Sequence, residues 1–205
     1  MPRKMRHVLW VAGLAVGLAA TSAQAGEKKE LMSGASGQML AAQCDGCHGP
    51  GGASAGPATP NIGGISKDYM LEVMEGFASG EVPSTIMGRI AKGYSKEDVA
   101  KLADHYSRLK WVPAKQPFDA KMAKEGAKLH EKYCEKCHED GGKKAEEDAA
   151  ILAGQWMPYL QFTMADFLSG RREMTKKMKK KVKKLIKAKG EKGLHAIVHF
   201  YASQQ

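Results

Sequence analysis

Cys44-Asp45-Gly46-Cys47-His48 and Cys134-Glu135-Lys136-Cys137-His138 are two copies of one frame, C-x-x-C-H, set 90 residues apart in a chain of 205. They contain all 4 cysteines of the protein. Two thiols about one helical turn apart can add to the two vinyl groups on one edge of a porphyrin, and the adjacent imidazole then projects onto the iron. A group held by two thioether bonds is not lost to dilution. Two such frames predict two covalently bound haem c groups.

Other uses of the thiols fit less well. Paired C-x-x-C zinc ribbons separate their pairs by roughly 12 to 20 residues, whereas 86 residues lie between Cys47 and Cys134. Thioredoxin-like cysteines would sit in an α/β unit and would not require the following histidine twice. Four cysteines are also too few for a small disulfide-stapled scaffold.

The repeat extends beyond the cysteines. At a shift of 90, Ile62 falls on Leu152, Gly64 on Gly154, Tyr69 on Tyr159, Met74 on Met164, and Phe77-Ala78-Ser79-Gly80 on Phe167-Leu168-Ser169-Gly170. Toward the end the shift becomes 95, where Leu102 to Tyr106 meets Ile197 to Tyr201, so the second copy gains five residues after Gly170. This is an internal duplication. In each copy the apolar spacing is helical and β-alternation is scarce, which predicts helices over Leu31–Gln43, Lys67–Ser79 and Lys96–Lys110, then Ala120–Tyr133, Trp156–Ser169 and Glu191–Ser203. Gly49 to Gly64 reads as loop. Trp111 to Pro117, closed by prolines, reads as a linker. The expected fold is all-α: two tandem class I cytochrome c domains, residues 26–113 and 114–205, each small enough to need help from an embedded cofactor.

A thioether closing the iron's sixth position gives an electron-transfer site of raised potential, whereas an open position would suggest catalysis. The chain has 12 Met. Met70 and Met74 lie on the apolar side of a predicted helix, but Met87 lies in the loop Pro83-Ser84-Thr85-Ile86-Met87-Gly88, free to aim its sulfur. His48 to Met87 spans 39 residues; His138 to Met178 spans 40 and His138 to Met174 spans 36, so spacing favours Met178 over Met174. The expected iron ligands are His48 with Met87 and His138 with Met178. His105, His130, His195 and His199 fall within predicted helices and read as ordinary core or surface residues.

Residues 1–25 place Arg3, Lys4 and Arg6 before the apolar run Val8 to Ala20 and then Ala23-Gln24-Ala25, the order of a secretory signal cleaved after Ala25. Its 13 apolar residues fall short of the roughly 20 needed to cross a bilayer. The mature chain is therefore expected in the periplasm with no integral membrane segment. The formal net charge is +10 and falls to +7 without the signal. Residues 26–113 carry a net −1 and residues 114–205 a net +8. Most of the excess is nine lysines between Lys176 and Lys189, interrupted at helical spacing by Met178, Val182, Leu185 and Ile186, which predicts an amphipathic helix with a basic face. The stretch has no aromatic residue to stack on bases, and an exported chain meets little nucleic acid, so nucleic-acid binding is not expected. An acidic partner or an anionic surface would suit it better.

The duplicated frame with helices around each copy resembles the diheme c-four type cytochromes. Glu72 to Phe77, Ser84 to Ser95, Tyr133 to His138 and Ile151 to Trp156 resemble more closely the cytochrome subunits of flavocytochrome c sulfide dehydrogenase, and the resemblance covers nearly the whole mature chain. It implies an electron-transfer subunit, accepting electrons from a sulfide-oxidising FAD flavoprotein subunit and passing them to a soluble cytochrome c. The absence of a G-x-G-x-x-G turn agrees with FAD belonging to the partner chain. The alternative is a stand-alone diheme carrier feeding a terminal oxidase.

Overall fold

The computed structural model of the protein describes residues 34–144 and 149–205. The expected signal, residues 1–25, lies outside the described residues. The helices in order are α1 (Gly37–Ala41), α2 (Asp45–His48), α3 (Lys67–Ser79), α4 (Met87–Ile90), α5 (Lys96–Ser107), α6 (Ala120–Tyr133), α7 (Glu139–Gly142), α8 (Met157–Ser169), α9 (Lys176–Lys189) and α10 (Glu191–Ala202). The fold is all-α, and none of these helices is long and apolar enough to cross a membrane.

Local chemistry sets most of the ends. The hydroxyls of Ser66 and Ser95 accept the Tyr69 and Asp98 N–H groups to open α3 and α5, and the Asp119 carboxylate accepts the Met122 N–H to open α6, satisfying donors that have no partner inside a helix. Gly80 and Gly170 close α3 and α8 at φ 89° and 75°, the left-handed backbone that glycine takes at least cost.

Expected bounds move in four helices, α8 opening one residue later at Met157 and α10 ending one residue earlier at Ala202, and one expected loop residue becomes helical. The helix expected over Leu31–Gln43 is seen only as Gly37–Ala41 within the described residues, opened by Ser36, whose hydroxyl accepts the Met39 N–H. Helix α5 stops at Ser107, before Lys110, because the Tyr106 carbonyl accepts from Gly64 N (2.8 Å) and Leu109 N (3.1 Å) and closes the turn. Met87 does not lie in open loop but begins the one-turn helix α4, where the Ser84 hydroxyl accepts the Gly88 N–H at 2.7 Å.

Each copy has its own core. The first gathers Leu40, Met70, Met74, Leu102 and Tyr106; the second gathers Leu129, Leu160, Leu185, Ile197 and Tyr201. In each, the first and last helices cross, α1 on α5 and α6 on α10. Glycine permits both crossings. A Cβ on Gly37 would sit 2.5 Å from the Lys101 carbonyl oxygen, and one on Gly126 would collide with the Ala196 carbonyl.

The duplication is written in the backbone bonds. Ile62 N donates to Gly52 O at 2.9 Å, as Leu152 N does to Gly142 O; Gly64 N donates to Tyr106 O at 2.8 Å, as Gly154 N does to Tyr201 O. Side chains then tie one copy to the other: the Trp111 indole N–H donates to Ala153 O (3.0 Å) and that of Trp156 to Ser54 O (3.3 Å).

Candidate functional site

In the first copy the chain turns out of α1 directly into the cysteine frame. Cys44 caps α2, with Cys47 and His48 on its single turn. Cys47 N donates to Cys44 O at 3.1 Å and His48 N to the same carbonyl at 2.8 Å. The second copy repeats this, with Cys137 N at 3.1 Å and His138 N at 3.0 Å from Cys134 O, as a turn that follows α6. Cys44 and Cys134 are half-buried, and Cys47 and Cys137 are exposed.

Burial pushes the Cys44 thiol up and takes Cys134 to about 11, although hydrogen bonds to Tyr106 and Tyr201 pull each the other way. A redox-active thiol is held below its ordinary pKa, the opposite of the direction that burial gives these two. No group of three or more His, Cys, Asp or Glu gathers as a metal cage among the described residues.

His48 is 8% exposed, and its Nδ1 lies 2.8 Å from the Pro60 carbonyl oxygen. A carbonyl only accepts, so Nδ1 carries the proton and Nε2 keeps its lone pair for a metal. Burial lowers the His48 pKa, against the opposing bond to Pro60, which favours the neutral imidazole an iron needs. Cys44 and Met87 both pack on the first core. Cys134, Met174 and Met178 pack on the second. Met178 occupies the first turn of α9, its N–H bonded to the Thr175 hydroxyl at 3.2 Å. Met174, four residues earlier, borders the same core. The donor set in each copy, two thiols, an imidazole and a thioether, fits a covalently bound haem.

Two constellations were not anticipated from the sequence. Arg172 lies beside Tyr69 and Tyr159, whose interactions outweigh burial and raise its pKa further, while burial pushes Tyr159 up. Asn61 and Gln155, 3% and 4% exposed, join the two copies. A signal existed for each: Tyr69 and Tyr159 are register mates, and Gln155 is a polar residue at the register of apolar Ile65.

Two C-x-x-C-H frames, each on a separate helical core, define a two-domain c-type cytochrome. No protein-family profile matches the chain. Individual relatives do. The thiosulfate dehydrogenase electron acceptor of Thiomonas intermedia is 33% identical over 144 residues, 64% of this chain and 65% of that protein. Cytochrome c4 of Azotobacter vinelandii is 30% identical over 157 residues, 67% of this chain and 73% of that protein. The cytochrome subunit of sulfide dehydrogenase from Chlorobaculum tepidum is 38% identical over 73 residues, 36% of this chain and 66% of that protein. The chain thus spans just under two thirds of the first and third of these relatives. In structure, reduced cytochrome c4 from Pseudomonas stutzeri matches with a TM-score of 0.67 at 24% identity, over 81% of this chain and 95% of that one, a likeness of fold. The chain belongs to the diheme class I cytochromes c, the family of cytochrome c4.

Proposed function

We propose that this diheme electron carrier serves a dehydrogenase of reduced sulfur. It takes electrons from a sulfide-oxidising FAD flavoprotein subunit, with which it forms a heterodimer in the periplasm, and passes them to a soluble cytochrome c. The observation that supports this reading is the 38% identity with a sulfide dehydrogenase cytochrome subunit. Residues 26–113 form the first domain, in which Cys44 and Cys47 anchor one haem and His48 and Met87 ligate its iron. Residues 114–205 form the second, with Cys134, Cys137, His138 and Met178 in the same roles. Haem c, when bound, supplies a one-electron iron couple whose potential a methionine ligand raises.

The chain's own residues hold and tune that couple. Pro60 fixes the His48 tautomer through its carbonyl. The buried Leu40, Tyr106, Leu185 and Tyr201 exclude water from the two cores, lowering the local dielectric and keeping reorganisation small. FAD and sulfide chemistry belong to the partner.

A second reading, a stand-alone diheme carrier feeding a terminal oxidase, is favoured by the match to cytochrome c4, while the relative named as a thiosulfate dehydrogenase electron acceptor makes thiosulfate the competing electron source. The deciding experiment mixes the oxidised holoprotein with the flavoprotein and sulfide, or with a thiosulfate dehydrogenase and thiosulfate, and follows haem reduction. Reduction only in the first mixture is expected. Reduction only in the second, or in neither, overturns the sulfide assignment.

A further inference from the structure

Gln155 does more than join the domains. Its side-chain oxygen accepts from Asn61 N at 2.9 Å and from Trp156 N at 3.1 Å, and its Nε2 donates to Asn61 O at 3.0 Å. The reverse amide orientation would break all three bonds, so the assignment is fixed by the network. Asn61 is itself pinned, its Oδ1 accepting from Ser54 N and its Nδ2 donating to Val112 O, each at 2.8 Å. The Gln155 backbone is held in turn, since Gln116 Nε2 donates to its carbonyl at 2.8 Å while Gln116 Oε1 accepts from Met157 N at 2.9 Å.

The Asn61 N–H and the Pro60 C=O are two ends of one peptide group. Gln155 grips the N–H end, and His48 Nδ1 donates to the C=O end at 2.8 Å. Hydrogen bonds in such a chain polarise one another: a peptide whose N–H is engaged is a stronger acceptor at its oxygen. A stronger acceptor draws the Nδ1 proton, makes the imidazole a better donor to iron and favours the ferric state. The whole path is buried, with His48, Asn61 and Gln155 at 8%, 3% and 4% exposure, so water does not compete for it.

We propose that Gln155 of the second domain is a positioning residue for the first domain's iron ligand, polarising the Pro60–Asn61 peptide against His48 and so lowering the potential of the first haem. The relay occurs once. At the register mates of Asn61 and Gln155 stand Ile151 and Ile65, both 5% exposed and without an amide. The domain contact therefore separates the potentials of two sites whose cysteine frames are otherwise alike. This rests on the haem assignment made above, but not on the choice of dehydrogenase.

The test uses the holoprotein with both haems attached, verified by mass; a protein carrying fewer than two would refute the haem assignment rather than the relay. Redox titration followed by NMR of the ferric haem methyl signals reads each haem separately. Gln155→Leu is expected to raise the reduction equilibrium constant of the first haem about threefold, ~28 mV at 59 mV per tenfold, with the second haem unmoved. Gln155→Glu retains an oxygen for the Asn61 N–H and adds negative charge, and should move the first haem the opposite way. Trp111→Phe removes a different bond between the domains, that to Ala153 O, and should move neither. If Gln155→Leu shifts neither haem, or shifts both alike, or if Trp111→Phe shifts the first haem as Gln155→Leu does, the relay is refuted. Should Gln155→Leu fail to fold, Gln155→Glu decides alone: an unchanged or raised equilibrium constant for the first haem overturns the proposal.

Discussion

The two domains share a scaffold and differ in what they put on its surface. Both cross their terminal helices at a glycine and repeat the same loop hydrogen bonds, yet the chain that follows Gly80 and Gly170 diverges. Before α5 the first domain places the single turn Met87–Ile90 and a 3-10 turn at Ala91–Gly93. Before α10 the second places the 14-residue helix α9, whose nine lysines are all exposed while Val182 and Leu185 are buried. On the preceding helix the contrast continues, with exposed Glu72 and Glu75 in the first domain at the register of Phe162 and Ala165 in the second. Duplication preserved the residues that carry the backbone past itself and left the outward faces free to specialise.

The sharpest way to break the comparison is at the second methionine. Met178→Ala is expected to lower one haem's reduction equilibrium constant more than tenfold, because the thioether favours ferrous iron, whereas Met174→Ala leaves both haems unchanged. Redox titration of the two variants checks it, and the opposite pattern would give the second domain a shorter ligand spacing than the first. Next in size is the helix crossing. Gly126→Ala should cost about 1–3 kcal/mol through overpacking against the Ala196 carbonyl, read by denaturant unfolding of the holoprotein. Gly37→Ala should cost less, since α1 has only five residues and can shift away.

What was legible in the sequence is what local chemistry determines. Lys67–Ser79 and Ala120–Tyr133 are legible to the residue because apolar periodicity fills each segment and a capping side chain, Ser66 or Asp119, stands immediately before it. The cysteine frames were legible for the same reason. Helix α1 starts later than the sequence suggests because the glycine-rich stretch before Met39-Leu40 has little helical drive and the Ser36 hydroxyl caps the helix there. The Gln155–Asn61 pair is not legible because its members lie 94 positions apart; only the mismatch of Gln155 with Ile65 hints at a polar demand. The turn at Met87 is not legible because it is too short to show a helical period and rests on one contact, the Ser84 hydroxyl accepting the Gly88 N–H.

The lysines offer a kinetic version of the comparison. Residues 81–95 of the first domain carry three charges, Glu81, Arg89 and Lys92, so a partner with an acidic face should meet α9 first. Replacing Lys183, Lys184 and Lys187 by Gln should slow electron exchange with such a partner several-fold at low salt, and the difference should vanish near 1 M salt, where the Debye length is about 3 Å. Stopped-flow measurement across ionic strength checks this, with Arg89→Gln plus Lys92→Gln as the first-domain counterpart of smaller effect. Equal effects from both sets would place docking between the domains.

The smallest expected effect lies at the start of α9, where the charge pattern opposes the helix. Lys176 and Lys177 occupy its first turn with no acidic residue there, and cations at a helix N-terminus face the positive end of the macrodipole. The Thr175 hydroxyl, accepting from Met178 N at 3.2 Å, is the cap that offsets this. Thr175→Ala should therefore cost about 1 kcal/mol, and Lys176→Glu should recover a few tenths of that in the same background. In the first domain the Ser84 hydroxyl bonds the N–H one residue beyond Met87 at 2.7 Å, so each domain secures the turn bearing its candidate methionine with a hydroxyl three residues upstream. If Thr175→Ala leaves unfolding unchanged while Ser84→Ala lowers stability, α9 holds its first turn by packing of Met178 on the second core, and the hydroxyl is a device of the first domain alone.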